Sequence, residues 1–377
     1  MAELNFMERV ALGVLRRRIE RGESHIHKWS DCELAEIQRI ERRTKTVAAL
    51  AGATSGAVLG LAEIWVGPGV LEFTDATWWR EQLPDWSLFV GLAMLVSGAE
   101  ILYLYWFVLR AVARISSIAG LNLSTQEVEQ LVARGLSRAA LELPNPRQPI
   151  HGIDPYARVP RWKLAAYAML YRIKVGATSF VLRVLLRRIL SRAALRFFIP
   201  LVAIPVFAIW NGLIARWIMR EVRLRIAGPL VVQDLGRYIS RVRSTLSEQS
   251  RQLIVEAVGE AIMRGEDAHP NYVLLLTRLF DDLEMSPESV RLDWDASRVG
   301  LEHLNPKGQD VLLMTLTVAA ILNSRLRRRQ RELLAEAYRL CGRTFQPEAI
   351  LSLRREFIAG QGLSEKHLEA VGGATGP

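Results

Sequence analysis

Cysteine is nearly absent from this chain, with Cys32 and Cys341 the only two among 377 residues. Two thiols near opposite ends make neither a disulfide framework nor a zinc spacing, and they suit a reducing compartment. Also missing are a glycine-rich phosphate loop, a G-x-S-x-G elbow and an H-E-x-x-H metal pair,. His25 and His27 have the wrong spacing for a helical metal pair, and Asp293, Asp295, Glu302 and His303 read as a solvated acidic turn. No catalytic group, cofactor or metal site is expected. The opening MAELNFMERVALGVLRRRIE has charges interrupting any apolar core, so no cleavable leader is expected either,. The most informative lack is of acid: residues 155–220 hold twelve Lys or Arg and no Asp or Glu.

What is present is basic and apolar. The formal charge is +10, the pI is near 10.0, and half of the residues are hydrophobic. Such a balance points to a polyanion, either nucleic acid or an anionic membrane surface. Two apolar stretches favour the membrane. Residues 47–66 carry one charge, Glu63, and residues 87–109 carry one charge, Glu100. Each runs for about 20 residues, enough for a hydrocarbon core of about 30 Å. Arg39, Arg42, Arg43 and Lys45 precede the first, Arg110 and Arg114 follow the second, and the linker 67–86 is acidic with clustered tryptophans. The positive-inside rule then places both outer flanks of the pair in the cytoplasm and residues 67–86 outside.

Gly52, Gly56 and Gly60 recur every four residues and share one helix face, which lets another helix approach closely,. The expected partner is the second span, through Ala93 and Ser97; a homodimer seam is the alternative. Glu63 can snorkel to the outer interface. Glu100 lies deeper, where a carboxyl must be protonated or hydrogen-bonded. Thr54 and Ser55 lie at a similar depth and are its expected partners. Structural glue is favoured there over ion handling.

In the acid-free region, Arg172, Lys174, Arg183, Arg187, Arg188, Arg192 and Arg196 interleave with apolar residues at near-helical spacing. With Arg216 and Arg220 they form the candidate site for anionic phospholipid headgroups; nucleic acid is disfavoured because no binding motif accompanies the charge. The uncharged stretch 197–215 follows. Pro200 and Pro205 interrupt a helix ladder and Asn211-Gly212 is a turn pair, so a re-entrant hairpin in the inner leaflet is favoured over a third crossing.

Residues 135–146 (GLSRAALELPNP) together with the FIPLVAIPVFAIWNGLIARWI stretch resemble the EcsC family of bacterial membrane-associated proteins. The resemblance implies a location at the bacterial inner membrane more than an activity. From residue 234 onward the chain turns amphipathic at helical period, punctuated by Asn305-Pro306, Gly342 and Pro347,. Within it, residues 311–342 resemble the TerB-type tellurite-resistance domain. That family's Asp-Gly and downstream Glu are replaced here by Asn323-Ser324 and Gln330, so no metal site is implied. The arginine run 325–331 reads as a solvated helix face, with headgroup docking as the alternative. Ser30-Asp31-Cys32-Glu33 reads as a capping box that opens the helix leading to the first span.

The expected fold is all-α: a transmembrane helical hairpin, a basic membrane-associated helical region and a soluble C-terminal helical bundle. The expected divisions are N-terminal helices at 1–45, the two-span hairpin at 46–110, the basic region at 111–233, the bundle at 234–370 and a tail at 371–377. The expected role is a multi-pass inner-membrane adaptor, with both termini cytoplasmic, that binds anionic phospholipid and a cytoplasmic protein partner and is able to self-associate. The alternatives are a transporter or channel subunit using Glu100, and a lipid-active enzyme.

Overall fold

The computed structural model describes residues 6–19, 26–66, 83–121, 127–141, 149–166, 169, 199–289, 292–323 and 326–363. The all-α expectation holds. Among the described residues there is no β-strand, only an isolated antiparallel bridge between Ile150 and Ile153. In chain order the helices are α1 (Phe6–Ile19), α2 (Asp31–Val66), α3 (Leu83–Ile118), α4 (Glu127–Ala140), α5 (Ile199–Val242), α6 (Glu248–Gly265), α7 (Pro270–Leu283), α8 (Trp294–Ser297), α9 (Pro306–Ile321), α10 (Arg328–Leu340) and α11 (Pro347–Ile358).

The chain divides into two compact units, and neither is a contiguous stretch. Unit 1 is Met1–Glu36, Ala113–Pro160 and Arg220–Pro377; unit 2 is Ile37–Val112 and Arg161–Met219. Helices α2 and α3 have 36 residues each and α5 has 44, and each contributes residues to both units.

Local chemistry explains where the helices begin. Ser30 and Glu33 form the expected capping box: Ser30 N–H donates to Glu33 Oε2 at 2.8 Å, and Glu33 N–H donates to Ser30 Oγ at 3.3 Å,. The backbone bond from Ser30, partly offset by burial, holds the Glu33 carboxyl below its ordinary range,. Asn305 caps α9 by accepting Gly308 N–H at 2.7 Å, with Pro306 in the first turn where no N–H is needed,. Helices α6 and α7 end on Glu266 and Glu284, both left-handed at φ 46° and 54°,.

Unit 1 packs around α9. Every residue of α9 from Val311 to Ile321 is buried, as befits a helix that is apolar all round. It lies against α6, α10 and α11; α6 also meets α7 and α10, and α4 meets α1 and α7. Each fully buried Leu or Ile here contributes roughly 1.5–3 kcal/mol relative to exposure. The segment before α2 is latched to the segment after α11. Trp29 N–H donates to Gly360 O at 3.0 Å. Gly360, at φ +72°, has no room for a Cβ beside the Trp29 indole,.

Unit 2 has the opposite character. Leu50, Leu61 and Trp65 of α2, Leu88, Met94, Leu95 and Leu102 of α3, and Ile209 of α5 are all exposed. The helices α2 and α3 contain stretches, Asp31–Ala62 and Ser87–Ile118, long and apolar enough to cross a membrane,.

The re-entrant hairpin expected at 197–215 is corrected. Residues from Ile199 to Val242 form one helix, with no break at Asn211-Gly212. Pro200 sits in the first turn, where the missing N–H costs nothing, and Pro205 removes a single ladder bond one turn later,. A turn pair forms a turn only when the backbone is free to bend; here the Asn211 side chain is engaged with Glu100.

Candidate functional site

The site that the sequence pointed to most sharply is the deep carboxyl Glu100. In unit 2 its partner is Asn211 of α5, whose Nδ2 donates to Glu100 Oε1 in a short hydrogen bond. Thr54 and Ser55 do not take that role. Thr54 Oγ1 donates to Leu50 O at 2.9 Å and Ser55 Oγ to Gly52 O at 3.2 Å, both within their own helix,. Thr54 is also exposed, on the far side of α2 from its glycine face.

Gly52 makes the clasp possible. A Cβ built on it would overlap the Phe207 carbonyl and lie 2.7 Å from Asn211 Nδ2. The Gly52 slot is therefore occupied by α5, and the expectation that Ala93 and Ser97 of the second span fill it is corrected at this position. Gly56 and Gly60 continue the same face of α2 and are buried with it. One turn the other way, the Cβ position of Gly212 lies 3.6 Å from Ala49 Cβ and 4.0 Å from Lys45 O. Small residues on both helices let the backbones close, which is the geometry that spans use when the hydrophobic effect cannot draw them together.

Of the expected headgroup ligands, Arg172, Lys174, Arg183, Arg187, Arg188, Arg192 and Arg196 lie outside the described residues. Arg216 and Arg220 are exposed on α5. On α3, the Arg110 guanidinium stacks 3.8 Å from the ring centroid of Trp106, which is itself half exposed,. Such an aromatic–basic pair suits a membrane–water boundary.

A second polar cluster, which the sequence reading missed, lies in unit 1. Glu221 Oε1 accepts Arg225 Nε at 2.9 Å and Nη2 at 2.8 Å, and it lies 3.0 Å from His269 Nε2. His269 Nδ1 accepts Asn271 N–H at 3.2 Å, so the ring caps α7,. Burial works to raise the Glu221 carboxyl, but His269 and then Arg225 outweigh it and hold it well below the ordinary range,. Arg225 Nη1 also donates to Gly135 O, and Gly135 lies 3.3 Å, at its Cβ position, from the Pro270 ring. Asn271 Nδ2 donates to Leu224 O at 3.0 Å and Leu322 O at 3.2 Å, and Gly228 has no Cβ to displace it. Only the His-Pro-Asn tripeptide, with its capping types, carried any signal of this knot.

The remaining expected sites resolve into structural roles. Gln330 caps α10 and donates to Ala261 O and the Tyr272 hydroxyl, both at 3.0 Å. Arg327 and Arg329 pair with buried Glu266 at 2.7 and 3.1 Å, so the arginine run is partly consumed within unit 1. Asp293 caps α8 through Ala296 N–H at 3.2 Å. Among the described residues, no three metal-ligating side chains come together. No family model, no curated protein and no solved structure matches the chain.

Proposed function

We propose that the protein is a membrane-anchored scaffold: unit 2 resides in the bilayer through α2 and α3, and unit 1 is an interaction module at the cytoplasmic face. The observation that carries the reading is the reversal of surface character between the units. Unit 2 turns Leu, Met and Trp side chains outward, more than a water-exposed surface tolerates, whereas unit 1 buries every residue of α9 from Val311 to Ile321,. The basic side chains Arg39, Arg42, Arg43, Lys45, Arg110 and Arg216 at the ends of the apolar stretches fit an anionic inner leaflet, and so orient the anchor,. The resemblances to the EcsC family and to the TerB-type domain point the same way, toward a bacterial inner membrane and a binding rather than a chemical role.

Photo-reactive residues placed in the full-length protein in cells test this reading. Position 95 on α3 should yield lipid adducts, and positions 299 and 351, exposed in unit 1, should yield adducts to one recurrent protein. If position 95 captures soluble protein, or if positions 299 and 351 capture none, the scaffold reading fails.

The half-buried Glu100–Asn211 pair favours one second reading, a subunit that conducts protons or ions,. Glu100→Gln separates the two. A scaffold keeps its localisation and its adducts, because glutamine still accepts from Asn211; a conducting subunit loses proton flux in proteoliposomes.

A further inference from the structure

Three features of the apolar half of α5 bear on its place relative to α2. First, its register on α2 is antiparallel. Stepping back along α5 from Gly212 to Phe207 moves the contact forward along α2, from Ala49 and Lys45 to Gly52. Second, residues 199–215 are uncharged, and the helix is continuous through them. Third, the apolar-to-basic boundaries coincide. Arg216 lies one turn beyond Gly212, whose neighbour on α2 is Lys45, the last basic residue before the first apolar stretch. On α3, Trp106 follows Glu100 by about 9 Å of helix, and on α5 Arg216 and Trp217 follow Asn211 by about 8–9 Å, at ~1.5 Å per residue.

We infer that the apolar half of α5 is a third membrane-crossing helix, antiparallel to α2, with its N-terminal end toward the outer leaflet, which requires that the chain between residues 160 and 199 also changes sides. The inference rests on the membrane reading of unit 2 and extends it to a segment that sequence signals assign to an inner-leaflet hairpin. A hairpin would return residue 199 to the level of Arg216. Continued by eleven residues along each helix, the Ala49–Gly212 register instead puts Leu201 level with Gly60, about three turns farther out,. Glu100 then sits inside a three-helix bundle, and Asn211 is the positioning residue that gives its carboxyl a donor, in the slot that Gly52 leaves open. In hydrocarbon such a pair has no water to compete for either partner, so it fixes the rotation of α5 about its own axis.

Two cysteine pairs in the full chain, with Cys32→Ser to remove the exposed thiol, test the register. Ala49→Cys with Gly212→Cys forms the inner pair, where the Cβ positions are 3.6 Å apart, within disulfide reach,. Gly60→Cys with Leu201→Cys forms the outer pair. Membranes are oxidised, and the linked peptides of the monomer band are read by mass spectrometry. Both pairs linking within one chain is the expected result, with the outer link lost when Gly52→Val is added. An inner link without the outer one overturns the inference and restores the hairpin. Links found only in a dimer band, or in neither pair, overturn the register itself. The same membranes are washed with alkaline carbonate: if the protein is released, the membrane reading fails with it, whereas a retained protein with no outer link refutes the third crossing alone.

Discussion

Units 1 and 2 share three long helices, yet they present opposite surfaces. In unit 1 the apolar residues converge on α9, and the charges lie outside or in compensated clusters such as Glu221–Arg225–His269. In unit 2 Leu88, Met94, Leu95 and Leu102 of α3 and Ile209 of α5 are exposed, and the half-buried pair Glu100–Asn211 joins two helices. The difference teaches that residue type alone does not define a core; what surrounds the helix does. Along α5 the rule changes within one helix. Before residue 216 its exposed positions include Ile209 and Leu213, and beyond residue 220 they are polar or charged.

The contrast can be broken most severely by charge. Leu95→Arg, on an exposed face of α3, should cost about 2.5–3.5 kcal/mol of insertion and deplete the protein from the membrane fraction,. Leu351→Arg, on a comparably apolar exposed position of unit 1, should leave fractionation unchanged. A uniform response of the two would erase the distinction.

Truncation is the next test. Leu316→Ala inside α9 should destabilise unit 1 by about 2–5 kcal/mol, seen as a lowered thermal midpoint in nanodiscs,. Leu95→Ala should change the stability of unit 1 by no more than about 0.5 kcal/mol and leave that midpoint in place. Asn271→Ala strips donors from two buried carbonyls and should cost roughly 2–3 kcal/mol,.

Acid sharpens the comparison further. Glu221 is held below its ordinary value of 4.5 in the folded state. Its stabilisation is fully present above that pH and is lost as pH falls below it, because the unfolded chain then binds the proton more readily. Glu221→Gln should flatten the acid side of the stability profile of unit 1 and leave the membrane retention of unit 2 untouched.

The smallest effect concerns the thiols. Cys32 is exposed, whereas burial pushes the Cys341 thiol up to about 11,. A maleimide should label one site per native chain, and a second only after denaturation.

How much of this was legible in the sequence depends on the range of each signal. The Ser30–Glu33 box, the Asn305 cap and the apolar sweep of α9 are local patterns, and the structure follows them. The paired apolar stretches were equally plain. The form of α5 was not, because Pro200, Pro205 and Asn211-Gly212 are local turn signals that tertiary contacts override,. The partner of Glu100 was hidden for a related reason. Counting residues gives the depth of Thr54 and Ser55, but it does not give the face on which a third helix arrives. Asn271 and His269 also reach Leu224, Leu322 and Glu221, far away in the chain, where no spacing rule applies.

The most direct test of the central contrast is spin-label accessibility in reconstituted bilayers, at positions 95 and 209 of unit 2 and 299 of unit 1, all exposed. Oxygen should dominate relaxation at positions 95 and 209, and a water-soluble nickel chelate should dominate at 299. Equal access of the chelate to all three positions would contradict a membrane-embedded unit 2.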